Sequence, residues 1–140
     1  MERSHTIDGT RRDYWLAAAV LTHLVITFVH GAAHGGANVP LGPVAALFVL
    51  LVIEVGPILG LVLSRSRPVL GGWTVAATMA GALIFGFVNH FVLISPDHVS
   101  HVAADWRPLF TASAVLLVVS ELIGVVAGWR HATRRMEVRP

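Results

Sequence analysis

The chain has 140 residues, 55% of them hydrophobic and 13% charged, with a mean hydropathy of +0.72. A soluble domain carries about 25% charged residues, so this chain cannot cover a water-facing surface, and no room remains for a dinucleotide fold or a phosphate-binding loop. It has no cysteine, which excludes disulfides, thiolate ligands, iron–sulfur clusters and covalent c-type haem.

Arg3, His5, Arg11 and Arg12 come first and read as a solvated, basic N-terminal tail. The first apolar run then predicts a helix over about 14–35, long enough to span a bilayer. Its polar residues are not scattered. At about 100° per residue, Thr27, His30 and His34 all fall within about 40° of His23. Such a stripe should face the bundle interior or a wet cavity, because lipid cannot hydrogen-bond it. His30 and His34 have the i,i+4 spacing of two metal ligands, but Gly31 stands where a zincin motif has its glutamate. A protease of that type is excluded. A basic pair, an apolar run and then Gly31–Ala37 also have the outline of a cleavable signal peptide; the sequence is read instead as a retained first helix.

A second helix is expected over about 41–64. It carries Glu54, followed by Gly56-Pro57. The proline removes a backbone donor and should free the Ile53 carbonyl beside the glutamate. Arg65 and Arg67 mark the next turn. The third helix, about 70–94, ends with Asn89-His90. Ser95-Pro-Asp97-His98-Val-Ser-His101 follows, and Ser at an N-cap with Pro at the first helical position predicts a short helix. On it His98 and His101 would share a face, with Asp97 beside His101. The fourth helix, about 108–130, carries Glu121. Arg130, His131, Arg134, Arg135 and Arg139 close the chain as a second basic tail, with His131 read as solvated.

All ten basic residues are arginine. Only Arg107 falls on the far side of the four helices from the others, a strong positive-inside pattern. The expectation is a single all-α domain over 1–140, an integral plasma-membrane four-helix bundle of up-down-up-down topology with both termini cytoplasmic. Tyr14, Trp15, Trp73 and Trp129 fall at the predicted inner boundary and Trp106 at the outer one, as interfacial anchors do. The basic clusters lack interleaved aromatics, so nucleic acid is not the expected partner; the lipid bilayer is.

The polar residues then sort by depth. His30, His34, His90, His98, His101 and Asp97 converge on the outer end. Neutral imidazoles there could bind copper, zinc or iron, or haem b through His90 with His30 or His34. Deeper, His23, Glu54 and Glu121 lie level to within a few ångströms. Carboxylates in a bilayer persist only if paired, protonated or bound to a cation, and His23 is the expected partner. This layer reads as a proton relay, with Asn89 a structural interhelical amide. Ile26–His30 resembles Phe85–His90, and Leu51–Gly56 resembles Leu117–Gly124, which suggests two related helical hairpins. Small residues four apart (Gly31/Gly35, Gly56/Gly60, Ala82/Gly86, Gly124/Gly128) should pack within the bundle.

Three readings follow. The first is a metal or haem site at the outer face, serving redox or metal handling, with the deeper layer compensating protons. The second is a small proton-coupled cation carrier, which would need a homodimer to form a path. The third is an accessory subunit of a larger membrane complex, without chemistry of its own. An enzyme is the less favoured class.

Overall fold

The computed structural model describes residues 4–137, and side chains from residue 14 onward. Arg3 and Arg139, and the side chains of His5, Arg11 and Arg12, lie outside that description. Four long helices form the molecule: α1 (Ser4–Gly36), α2 (Pro43–Ser66), α3 (Pro68–Val92) and α4 (Arg107–Glu137). No strand occurs among the described residues. Each helix is long and apolar enough to cross a bilayer. Their outward side chains are also apolar, with Phe28 81%, Val44 84% and Ile94 84% exposed. Water would not tolerate so continuous an apolar surface; the protein is a multi-pass membrane protein.

The helices alternate in direction. Both termini and the tight connection at Arg67 therefore lie at one end, and the connections 37–42 and 93–106 lie at the other, here the distal end. α4 packs against both α1 and α3, and α3 packs against α2, whereas α1 meets α2 mainly along Gly56–Ser66, with the His23–Ile53 hydrogen bond just beyond it. Toward the distal end α1 and α2 diverge. A close crossing of α3 and α4 lies nearer the termini, where a Cβ on Gly72 would lie 2.8 Å from the Gly128 carbonyl oxygen and the Ala132 nitrogen. The Gly56/Gly60 and Gly124/Gly128 pairs pack within the bundle as expected, but Gly31 and Gly35 have open space around them. Their helix face is the one α2 has left.

Two helices change winding beside a polar residue. In α2, Val49–Val55 is π-helical and closes with the Gly56 N–H donating to the Leu51 carbonyl. In α3, the last turn Val88–Val92 is π-helical, with the Leu93 N–H donating to the Val88 carbonyl at 2.8 Å. Such bulges are rare and gather at functional sites.

Two expectations are corrected. Residues 95–106 form successive turns, not a short helix. The Ser95 hydroxyl accepts the Asp97 N–H at 3.2 Å, and the Val99 N–H is taken by the His90 carbonyl at 3.0 Å. The segment is thus tied back onto α3 instead of winding on itself. His131 is buried, not solvated, because α4 continues to Glu137 and keeps its inward face against α3.

Candidate metal centre

α1 presents His23, His30 and His34 inward, as the stripe predicts, and all three are buried. His90, carried on the π turn of α3, is buried against them. One ring nitrogen each of His30, His34 and His90 lies within 4.8 Å of the other two. The Nε2 atoms of His30 and His90 are 3.1 Å apart.

The hydrogen bonds around these rings orient them. The Ser113 hydroxyl on α4 lies 2.7 Å from the Leu109 carbonyl, 3.1 Å from the Phe110 carbonyl and 2.9 Å from His30 Nδ1; with its proton on a carbonyl it accepts from His30. His90 Nδ1 faces the Asp97 backbone carbonyl at 3.1 Å and the Asp97 carboxylate at 3.4 Å, so it too must donate. His34 Nδ1 donates to the Val39 carbonyl at 3.3 Å. Each ring is held at Nδ1, which turns Nε2 of His30 and His90 toward each other and Nε2 of His34 toward the Asp97 carboxylate. Metal-ligating histidines are oriented in this way, the second nitrogen donating to a carbonyl, carboxylate or hydroxyl.

The 3.1 Å contact is a hydrogen bond when one Nε2 carries a proton; when both protons are on Nδ1, neutral His30 and His90 aim two lone pairs at each other across it. Away from water that contact is repulsive unless a cation or a proton sits in it. Two imidazoles bound about 2.0–2.1 Å from a tetrahedral ion would stand about 3.3 Å apart. The observed separation is close to that. The His30–His90 pair is too close for haem b, whose iron would need its two axial nitrogens about 4 Å apart with a porphyrin between; the His34 and His90 ring centroids are 5.6 Å apart. The adjoining cavity has a volume of about 130 Å³, against about 300–1,000 Å³ for pockets holding drug-sized ligands.

Asp97 turns inward, not toward His101. Its Oδ1 lies 3.3 Å from His34 Nε2 and is buried. Burial would raise this carboxyl, but the hydrogen bond from His90 and the nearness of His90, His34 and His30 outweigh it and hold the group below its ordinary value. Phe110 packs on all three rings, with centroids 4.8 Å from His30 and His34 and 5.3 Å from His90. With Ala33, Val39 and Val102 it seals the distal side of the cluster.

His98 and His101 are not brought to the three histidines. They lie 5.6 Å apart, centroid to centroid, on the loop surface. His98 Nδ1 accepts the Ser100 N–H at 3.2 Å, and His101 Nδ1 donates to the Ser95 carbonyl at 2.8 Å. The turn that sends Asp97 inward sends these two rings out. Asn89 bonds its own helix, Nδ2 donating to the Phe85 carbonyl at 2.8 Å, and bridges no pair of helices.

The deeper layer is also rearranged. His23 pairs with neither glutamate; its Nε2 donates to the Ile53 carbonyl at 3.2 Å, the acceptor that Pro57 frees. Ser120 Oγ lies 3.5 Å from His23 Nδ1. Glu54 is half-buried and Glu121 only 2% exposed. Both line the cavity beneath the histidines, and Glu121 Oε2 makes no hydrogen bond among the described residues. Sequence reasoning missed Ser113, Phe110 and the Val39 carbonyl, which orient or cover the rings. No family model matches the chain, and neither does a curated protein or a solved structure.

Proposed function

We propose that this membrane protein binds one transition-metal ion through the Nε2 atoms of His30, His34 and His90, and serves redox or metal handling at the outer face of the plasma membrane. The observation that carries this reading is the outward anchoring of all three Nδ1 atoms, which leaves three inward nitrogens from two helices. Three protein nitrogens with a fourth position facing a cavity is the pattern of a working site and not of a closed structural one. Thiol-free imidazole ligation suits copper, zinc or iron. Asp97 ties His90 Nδ1 and the His34 ring to the 93–106 loop, its carboxylate close enough to stand beside a bound ion. The arginine distribution favours cytoplasmic termini, and so a metal centre on the outer side.

The test is elemental analysis of the purified, detergent-solubilised protein, with an absorption spectrum of the same sample before and after reduction. One equivalent of copper, zinc or iron is expected, falling to below a tenth in H30A/H90A. A folded protein that neither carries metal nor takes up added copper or zinc would overturn the reading.

A further inference from the structure

The metal reading leaves the cavity itself unexplained. Its distal side is closed by Phe110, Val39 and Val102. Its open side lies between α1 and α2, where Gly31 and Leu41 face Val49 and Ile53. Gly31 and Leu41 are exposed there, and the surface around them is apolar, with Phe28, Val44 and Leu51 outward. In a bilayer that flank is covered by acyl chains, not by water. Inside, the walls are mostly apolar, but Glu54 and Glu121, from different helices, line the space, with Asp97 at its histidine end. Glu121 is 2% exposed and its Oε2 is unsatisfied among the described residues. A buried carboxylate oxygen without a donor is costly, and it points to a ligand that brings one. The cavity volume, about 130 Å³, is near that of an apolar cavity of roughly 150 Å³ known to admit a single benzene ring.

We propose that the cavity admits, sideways from the bilayer, the hydroxylated ring of a lipid-soluble quinol, with its hydroxyls donating to Glu121 and Glu54 and the ring beneath the three histidines. The inference rests on the metal reading, since the histidine end of the cavity is its metal centre. The space is near that of one unsubstituted ring, so the ring's substituents and tail would lie in the opening between α1 and α2, with its two hydroxyls offered to Glu121 and Glu54. An organic cation would also satisfy the carboxylates, but it would have to enter from hydrocarbon, where a charge is costly.

Gly31 allows a clean test. A Cβ there meets nothing within 4 Å, so Gly31→Phe can narrow the opening without strain in the bundle. Zinc-loaded protein in lipid nanodiscs is titrated anaerobically with tetramethyl-1,4-hydroquinone; zinc is redox-inert, so binding alone is read. One quinol per chain is expected for the wild type, with affinity at least about tenfold weaker in Gly31→Phe and in Glu121→Leu while zinc stays at one equivalent. Zinc at one equivalent with no quinol bound overturns this inference and leaves the metal centre standing. Quinol binding unchanged in both variants, or displaced by tetramethylammonium, also overturns it. A wild type that binds no zinc fails the metal reading instead.

Discussion

Ser113 shows how much of the site depends on one hydroxyl. With its proton on the Leu109 or Phe110 carbonyl it accepts from His30 Nδ1, and the contact turns that ring's Nε2 toward His90. Ser113→Ala should weaken zinc binding about 10–100-fold, the usual cost of losing an orienting partner, while saturating zinc still reaches one equivalent; a competitive titration with a chelating dye would measure it. His23 does a different job. Replacing it by Ala orphans the Ile53 carbonyl in a medium without water and should cost about 1–3 kcal/mol, seen as easier thermal unfolding in detergent with metal content unchanged. At this scale the sequence was partly legible. Helical periodicity aligns His23, His30 and His34, and Pro57 marks Ile53 as the freed carbonyl. That His23 answers that carbonyl, and that Asp97 chooses His34 and His90 over His101, depends on how the helices are rotated and on one turn at Ser95, which local spacing does not encode. Ser113 lies seven residues before Ser120, two turns apart on one face of α4; that small polar repeat was the available signal and was passed over.

The helices divide into a tight half and a loose half. Near the termini, backbones meet at Gly72 and Gly128, and Gly72→Val should push α3 from α4 at a cost of about 1–3 kcal/mol from overpacking. Gly35, which has the same spacing relation to Gly31 but open space around it, should accept Ala within about 0.5 kcal/mol. Unfolding of both variants in sodium dodecyl sulfate titrations would separate them; equal losses would contradict the divergence of α1 from α2. Spacing alone treated the two pairs alike, because it reports which residues share a face and not whether a neighbour reaches it. The spans themselves were the most legible part, since a bilayer demands continuous apolar length. Their ends were less so: α1 starts at Ser4 and α4 runs to Glu137, where tail residues judged solvated continue the helix.

For the whole molecule, the absence of cysteine makes topology directly measurable. A single cysteine at Ser100, exposed in the distal loop, should react with a membrane-impermeant maleimide on intact cells. One at Arg67, also exposed, should react only after permeabilisation; the reverse pattern would place the metal centre on the cytoplasmic side. The aromatics fit the same frame, with Tyr14, Trp15, Trp73 and Trp129 all turned outward near the terminal end, where interfacial anchors belong.

The π-wound stretch of α2 adds a constraint of another kind. A π turn holds one more residue than the α turn it replaces. Removing one residue from Val49–Val55 would let the helix return to regular winding with the residues on either side still in register, because the wide turn is what absorbs the extra one. The distal start of the helix on one side, and Pro57, Gly60 and the tight packing on the other, would stay in place. Only the seven positions of the wide turn would be redistributed, Glu54 among them. The extra residue is therefore a separable part of the cavity wall, and a one-codon deletion there should leave a folded bundle whose cavity has lost its present shape.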